Sequence, residues 1–113
     1  MSVLIIEIAD RERVERRFIA ASQGEYQGEF VTFPDLELLH KVMTPKRWAI
    51  LDYLQRHGAM RLRALAQALA VDVGNLQRDI KPLKEYGMVT DTEAGLAVPY
   101  DEIRLELVLS RAA

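Results

Sequence analysis

The chain has 113 residues, of which 50% are hydrophobic and 28% are charged, and its formal net charge is −2 at pH 7. This length and composition are typical of one small globular domain, with or without a short appendage, that needs no disulfide or metal to fold. The absence of cysteine excludes disulfides, thiolate metal sites and cysteine nucleophiles, and two histidines are too few for a multi-histidine metal centre. No apolar stretch is long enough for a membrane helix and no signal peptide is evident. We therefore expect a cytoplasmic protein that uses no cofactor.

The first 40 residues predict a strand, a helix and a second strand. Residues 2–9 are rich in Val and Ile and alternate weakly, which indicates a strand. Asp10 is placed to cap a following helix, and the charged residues 11–17 at its start form i,i+4 pairs that favour a solvated face. A turn-rich segment over 23–28 leads to the second strand. We interpret residues 1–40 as an extension that forms a dimer.

Three helices are predicted over the middle of the chain. The first runs over 45–57, because Thr44 offers a capping hydroxyl just before a proline at the first helical position. The second covers 62–70. The third follows Asp72, a second capping residue, and ends at Gly87. Its apolar residues repeat at helical spacing: Val73, Leu76, Ile80 and Leu83.

The rest of the chain predicts β-structure. Residues 88–92 and 96–99 indicate two strands joined by a tight turn, and residues 103–109 alternate as a half-buried strand. Three helices followed by a hairpin is the order of a winged helix-turn-helix. The predicted fold class is therefore α+β. A winged helix-turn-helix domain over 41–109, with a three-helix core, a β-hairpin wing and a C-terminal strand, follows the strand–helix extension of 1–40.

Charge is distributed unevenly along the chain. Residues 1–40 carry four Arg against eight acids, which gives −4. Residues 41–84 carry nine Lys or Arg against three acids, which gives +6, and residues 85–113 carry two Arg against six acids, which gives −4. A basic block between two acidic ones indicates an anionic partner that binds at one place.

The third helix carries its polar side chains away from its apolar stripe. At about 100° per residue, Asn75 and Gln77 flank a group that lies nearly opposite that stripe: Gly74, Arg78, Lys81 and Glu85. Arg can pair with guanine, and Asn or Gln with adenine, in the major groove of DNA. We therefore expect this helix, about 73–86, to make base contacts through Asn75, Gln77 and Arg78. DNA backbone contacts are predicted for Lys46, Arg47, Arg61, Arg63, Lys81 and Lys84.

Five short motifs follow one another along this part of the chain: Met43-Thr-Pro-Lys-Arg47, Leu65-Ala-Gln-Ala-Leu69, Asp72 with Leu76-Gln-Arg-Asp-Ile80, Gly87-Met-Val89, and Pro99-Tyr-Asp-Glu-Ile103. Through them, segment 41–104 resembles the MarR-like winged-helix predicted transcriptional regulators. Within that group it is most similar to a small family sometimes encoded beside toxin genes. The resemblance implies sequence-specific binding of double-stranded DNA as a homodimer. For the toxin-linked members it also implies an antitoxin role, with a cognate toxin protein as partner.

The chain departs from that pattern in ways that leave two functions open. The predicted hairpin carries Asp91 and Glu93, where DNA-binding wings often carry Arg or Lys. Basic residues of the family are replaced by Val71, Gly74 and Gln77. One hypothesis is a DNA-binding regulator; the other is an antitoxin or winged-helix protein–protein interaction module with weak or no DNA binding. No enzyme is expected, because neither His40 nor His57 has a Ser or Cys partner in a recognisable motif and no Gly-rich phosphate loop is present.

One structural feature distinguishes these hypotheses, and a separate prediction concerns the dimer. DNA binding requires that the basic side chains converge on one surface, namely Arg47, Arg61, Arg63, Arg78, Lys81 and Lys84. A dimer requires an element for self-association. The strands over 2–9 and 103–109 are candidates, because short strands are not stable alone and must pair with each other or with a second copy.

Overall fold

The computed structural model describes residues 2–9, 11–24 and 29–111. Over these residues the fold is α+β, with five strands and five helices. In chain order they are β1 (Val3–Ile8), α1 (Arg11–Ser22), β2 (Glu29–Phe33), α2 (Leu36–Val42), α3 (Pro45–His57), α4 (Leu62–Leu69), α5 (Val73–Glu85), β3 (Thr90–Thr92), β4 (Gly95–Ala97) and β5 (Glu102–Glu106). The chain divides into two compact units, residues 1–41 with 102–113 and residues 42–101. None of the helices in the described ranges is long and apolar enough to cross a membrane.

The first unit contains a three-stranded sheet in the order β2-β1-β5, with both neighbouring pairs parallel. Its register places Ile6 beside Val31 on one side and beside Leu105 on the other. Both predicted N-terminal strands are confirmed, and the C-terminal strand does pair with the N-terminal one. The predicted helix cap Asp10 and most of the predicted turn over 23–28 lie outside the described residues.

One face of this sheet holds a buried ion pair. Glu7 is 1% exposed, and Arg17 of α1 donates hydrogen bonds to both of its carboxylate oxygens. The Arg17 guanidinium carbon also lies 3.7 Å from the centre of the Phe30 ring. The Glu12–Arg16 pair is present at 3.9 Å. The prediction of a wholly solvated charged face on α1 is nevertheless wrong at Arg17, because a buried carboxylate requires a counter-ion.

The second unit contains α3, α4 and α5. Helices α3 and α4 begin and end within a residue of their predicted bounds, whereas α5 begins where predicted but ends at Glu85, two residues before Gly87. Both predicted caps are confirmed. The Thr44 hydroxyl accepts a hydrogen bond from the Arg47 N–H at 3.3 Å, and the Asp72 carboxylate accepts one from the Asn75 N–H at 3.0 Å. Ala70 adopts a left-handed backbone with φ 55°, which closes the short turn between α4 and α5. The buried apolar residues of this unit are Met43, Ile50, Leu51, Leu54, Leu65, Ala66, Leu76, Ile80, Leu83, Met88, Val89 and Leu96.

The predicted hairpin is present but shorter than expected. Strands β3 and β4 are antiparallel, from the Thr90–Ala97 pair to the Thr92–Gly95 pair. Val89 was predicted to lie in a strand, but it is buried just before the ladder begins. Backbone hydrogen bonds in both directions between Met60 and Leu96, at 2.9 and 2.8 Å, tie the hairpin to the segment between α3 and α4.

Strand β5 differs from prediction in its length and in the unit to which it belongs. The sequence predicted a strand over 103–109 within a domain over 41–109. The strand instead ends at Glu106 and pairs with β1, so it belongs to the first unit. The last pair of the ladder joins Glu7 to Glu106, one residue before β1 ends at Ile8.

Candidate nucleic-acid interface

Helix α5 separates an apolar face from a polar one. Its buried side chains are Leu76, Ile80 and Leu83. The residues predicted to contact DNA from this helix are all exposed: Asn75, Gln77, Arg78, Lys81 and Lys84. This division is the one that the helical periodicity predicted, and it leaves the polar face available to a partner.

An open cleft of about 970 Å³ lies between the polar face of α5 and the β3–β4 hairpin. We call it the α5 cleft. Four basic residues line it: Arg61, Arg78, Lys81 and Lys84. Gln77 and Gly74 also line it, together with two acidic residues, Glu85 and Asp91. The formal charge of the lining is therefore positive, and Gly74 presents no side chain that would obstruct a ligand.

The hairpin side of the α5 cleft already holds two of these cations. The Lys84 ammonium donates a hydrogen bond to the Asp91 carboxylate at 2.8 Å. The Arg61 guanidinium donates one to the Glu93 carbonyl oxygen at 3.2 Å. Because Lys84 and Arg61 bind the hairpin, Arg78 and Lys81 are the cations of the cleft that point to an external partner most directly.

A second hollow adjoins the α5 cleft at the start of the helix. It is lined by Thr44, Pro45, Lys46, Arg47, Asn75, Arg78 and Asp79. Arg78 borders both depressions, and its guanidinium donates a hydrogen bond to the side-chain oxygen of Asn75. Asn75 and Arg78 were both predicted to contact bases. The structure brings them into contact with each other on the exposed surface.

Arg47 occupies this hollow as part of the fold. Its Nε lies 3.0 Å from the Asp79 carboxylate and its Nη1 donates to the Val42 carbonyl oxygen at 2.8 Å. The side chains of Arg47 and Asp79 are only 19% and 23% exposed. The pair connects α3 to α5 across a sequence separation of 32 residues. Two of the five N–H donors of this guanidinium are therefore used within the unit.

The predicted convergence of basic residues is present in part. Of the six residues whose convergence distinguishes the hypotheses, four line the α5 cleft and Arg47 lines the adjoining hollow. Arg63 is exposed on α4 and lines neither depression. Lys46, also predicted to contact phosphate, is exposed on the wall of the hollow.

Sequence reasoning missed the acidic partners of these cations. Asp79 had no assigned role, although it lies one residue after Arg78 and binds Arg47. Asp91 was identified as part of an acidic hairpin but not as the partner of Lys84. Spacing along the chain gives no signal for either contact, because each joins two elements that only the folded chain brings together.

Within the described ranges, no group of three or more His, Cys, Asp or Glu residues is placed to hold a metal ion. The His57 ring stacks on Tyr53 with their centres 4.0 Å apart, and its Nδ1 lies 3.0 Å from the Tyr53 carbonyl oxygen. The contacts of His57 are therefore those of a residue that ends α3.

Comparison with known proteins places this chain in a family. The family model HVO_A0114 matches residues 42–105, which is more than half of the chain. The matched segment includes the α5 cleft, the adjoining hollow and the hairpin. A search of curated proteins found no match. The chain belongs to the HVO_A0114 family.

Proposed function

We propose that this member of the HVO_A0114 family is a sequence-specific DNA-binding transcriptional regulator that acts as a homodimer. In this proposal α3, α4, α5 and the β3–β4 hairpin form a winged helix-turn-helix similar to that of MarR-like regulators. Helix α5 is the recognition helix and lies in the major groove. The observation that carries the proposal is the convergence of Arg61, Arg78, Lys81 and Lys84 on the α5 cleft.

The side chains on the exposed face of α5 suit base recognition. An α-helix fits the major groove, and the residues near its start reach the base edges. Arg78 and Gln77 lie in the first two turns of α5, and both line the α5 cleft. Asn75 accepts a hydrogen bond from Arg78 and thereby orients its guanidinium. We assign base contacts to these three residues.

The remaining cations suit phosphate contacts, with one exception. Lys46, Arg63 and Lys81 are exposed and positively charged. Contacts from such side chains hold a protein in position on DNA without reading its sequence. Arg47 is the exception, because its ion pair with Asp79 uses it to join α3 to α5.

The hairpin favours a second candidate function, a protein–protein interaction module such as an antitoxin. Asp91 and Glu93 place two carboxylates on the hairpin, and Asp91 lines the α5 cleft. Carboxylates repel phosphates, whereas a cleft with both charges is complementary to a protein surface that also carries both. In this second function α5 binds a protein partner, and DNA binding is weak or absent.

Selection from a random duplex library tests the proposed function. Full-length protein should enrich a defined sequence, and anisotropy titrations should show tighter binding to that duplex than to its scrambled version. Arg78→Ala should weaken binding to the enriched duplex by about 1–3 kcal/mol. Arg56→Ala is the matched control, because Arg56 is an exposed α3 residue that pairs with Asp52 and lines neither depression. If no sequence is enriched and low salt reveals no binding, the proposal is wrong.

The variant Asp91→Asn separates the two candidate functions. It removes one negative charge from the α5 cleft and releases Lys84 from its ion pair. If the cleft binds DNA, the affinity for duplex should rise severalfold, because both changes favour a phosphate. If the cleft binds a protein of mixed charge, DNA affinity should not rise. The measurement is the dissociation constant for the enriched duplex, with Asp52→Asn on α3 as the control for net charge.

A further inference from the structure

Strand β5 presents one paired edge and one unpaired edge. Its paired edge faces β1, the central strand of the sheet. In the described part of the chain, no strand pairs with its other edge. The strand is short and carries three charged residues, which usually protect an edge, but Leu105 is 48% exposed. The apolar residues that follow are also exposed: Leu107, Val108 and Leu109.

The hydrogen bonds of β5 show which backbone groups are on the unpaired edge. The Glu102 N–H donates to the Ser2 carbonyl oxygen at 3.2 Å, so the backbone groups of Glu102 point toward β1. Successive residues of a strand direct these groups to alternate edges. Those of Arg104 and Glu106 therefore also point toward β1. Those of Ile103 and Leu105 point outward.

We propose that β5 pairs with β5 of a second copy of this chain, antiparallel, about a two-fold axis at Leu105. Leu105 then lies opposite Leu105 of the second copy and exchanges two backbone hydrogen bonds with it. Ile103 lies opposite Leu107 of the second copy in the next hydrogen-bonded pair. The two three-stranded sheets become one six-stranded sheet, and the contact is self-complementary, as a two-fold interface requires.

Charge complementarity favours this register, although Arg104 already pairs with Glu102 of its own strand at 2.7 Å and would share its charge with Glu106 of the second copy. With the axis at Leu105, Arg104 lies opposite Glu106 of the second copy, and the symmetric pair repeats the contact. Both pairs fall at non-hydrogen-bonded positions, where opposed side chains are closest. With the axis at Arg104, like charges would face each other: Arg104 would face Arg104, and Glu102 would face Glu106 of the second copy. With the axis at Glu106, two glutamates would meet.

An axis at Ile103 would also place opposite charges across from each other, Glu102 and Arg104, but the structure disfavours it. That register requires Asp101 to pair with Leu105 of the second copy through its backbone. The Asp101 carbonyl oxygen already accepts a hydrogen bond from the Gln55 side chain at 2.8 Å, and the Tyr100 carbonyl accepts another at 2.9 Å. On the other side of Leu105, residues 107–109 are exposed and extend the pairing without such a conflict.

The apolar face of the sheet supports the same register. Leu105 lies beside Ile6 in the parallel pair, so its side chain is on the face that carries the buried Leu4 and Ile6. In the proposed pair, Ile103, Leu105 and Leu107 of both copies continue this face across the axis. Burial of Leu105 and Leu107, which are each 48% exposed, supplies the hydrophobic part of the association.

A single-cysteine cross-link tests the axis directly, because the natural chain contains no cysteine. Opposed residues of a hydrogen-bonded pair have Cα atoms about 5.5 Å apart, within the range that a disulfide spans. Full-length Leu105→Cys should therefore form a disulfide-linked dimer under mild oxidation at micromolar concentration. Ile103→Cys is the matched control, because its two copies would lie more than about 13 Å apart. Equal cross-linking of both variants, or none by Leu105→Cys, would overturn the proposal.

Charge reversal tests the register in a second way. Arg104→Glu and Glu106→Arg each place like charges opposite one another, so each should weaken dimerisation by about tenfold in sedimentation experiments. The double variant restores opposite charges and should recover the dimer. Arg111→Glu makes the same change in net charge as Arg104→Glu and should leave the dimer intact. A double variant as weak as the single variants would overturn the register, even if the single variants were poorly folded.

The inference shares with the proposed function only the expectation of a homodimer. It rests on β5 in the first unit, whereas DNA binding rests on the α5 cleft in the second unit. Neither the cross-link nor the sedimentation experiment uses DNA. If the protein dimerises through β5 but enriches no DNA sequence, this inference stands and the proposed function is wrong. If it enriches a DNA sequence but does not dimerise through β5, the proposed DNA binding stands and this inference is wrong.

Discussion

The basic residues of α3, α4 and α5 divide into those that a partner in the fold already holds and those that are exposed. Arg47 is held by Asp79, with both side chains mostly buried. Lys84 is held more loosely by Asp91, which is 72% exposed. Arg63 and Lys81 are exposed. Because solvent-exposed ion pairs contribute little to stability, we do not expect these two residues to stabilise the fold through their charge. The same residue type therefore stabilises the fold in one place and is available to a ligand in another.

The Arg47–Asp79 pair gives a prediction about stability. Arg47→Ala should lower the free energy of unfolding by about 1–3 kcal/mol, because the Asp79 carboxylate would lose a charged hydrogen-bond donor in a half-buried site. Asp79→Asn should cost less than Arg47→Ala, since an amide still accepts a hydrogen bond from Arg47. The double variant should be less destabilised than the sum of the single variants, because the two residues interact. Urea denaturation measures all three, and strict additivity would contradict the contact.

A second prediction separates base contacts from phosphate contacts. Arg78→Ala should lose affinity for the enriched duplex and relax the preference at one base pair, because Arg can pair with one guanine. Lys84→Ala should weaken binding to enriched and scrambled duplexes about equally, since a phosphate contact does not read sequence. Anisotropy titrations of both variants on both duplexes measure the difference. Equal losses for both variants on both duplexes would show that α5 does not read bases.

At the scale of elements, the hairpin depends on a close approach between two backbones. A Cβ added to Gly95 would lie 2.4 Å from the Met60 carbonyl carbon, a backbone atom that cannot move aside as the end of a flexible side chain can. Gly95 also has φ +122°, a conformation that other residues rarely adopt. Glycine at this position therefore lets β4 bind the segment before α4, and that contact fixes one wall of the α5 cleft.

Two glycine substitutions test this arrangement. Gly87→Ala should cost about 1–2 kcal/mol, because Gly87 has positive φ but nothing lies within 4 Å of its added Cβ. Gly95→Ala should cost clearly more, because the clash with Met60 adds to the backbone strain. It should also weaken DNA binding, since the hairpin wall of the cleft would move. Thermal unfolding compares the two variants, and equal costs would show that the close approach is unimportant.

The sequence predicted elements better than it predicted their partners. Local signals determine the helix ends: Thr44 and Asp72 accept hydrogen bonds from nearby N–H groups, and such caps depend only on neighbouring residues. Contacts between distant residues carried no comparable signal. The Arg47–Asp79 pair and the close approach at Gly95 both join residues more than 30 positions apart. The end of β5 could not be predicted either, because it depends on pairing with β1, which is distant along the chain.

For the candidate site, the sequence predicted the residue types and the helix face on which they lie. It did not predict which cations are bound by other residues of the fold. Helical periodicity placed Gln77, Arg78 and Lys81 on the exposed face of α5, and the structure confirms that exposure. Whether a cation is free or held is decided by the residues that the fold places opposite it. That information lies in Asp91 and Asp79, whose charges were visible in the sequence but whose positions relative to the cations were not.

At the scale of the whole molecule, the uneven charge determines how DNA binding should depend on salt. The block over 41–84 carries a formal charge of +6, and the acidic blocks before and after it carry −4 each. Electrostatic interactions between exposed charges weaken beyond a Debye length of about 8 Å at physiological salt. Contacts of the basic block with phosphates should therefore dominate, while the net charge of −2 should limit non-specific attraction at a distance.

The last prediction is the salt dependence of DNA affinity. With about four to six phosphate contacts in a dimer, log K should fall with log salt concentration with a slope of roughly −4 to −5, because bound phosphates release their counter-ions. Lys81→Ala removes one contact from each subunit and should reduce the magnitude of the slope by about two. Arg56→Ala, an exposed arginine that lines neither depression, should leave the slope unchanged. Anisotropy titrations at several salt concentrations give the slope. A slope near zero would mean that the basic block does not contact phosphates, and binding of any DNA would then need another explanation.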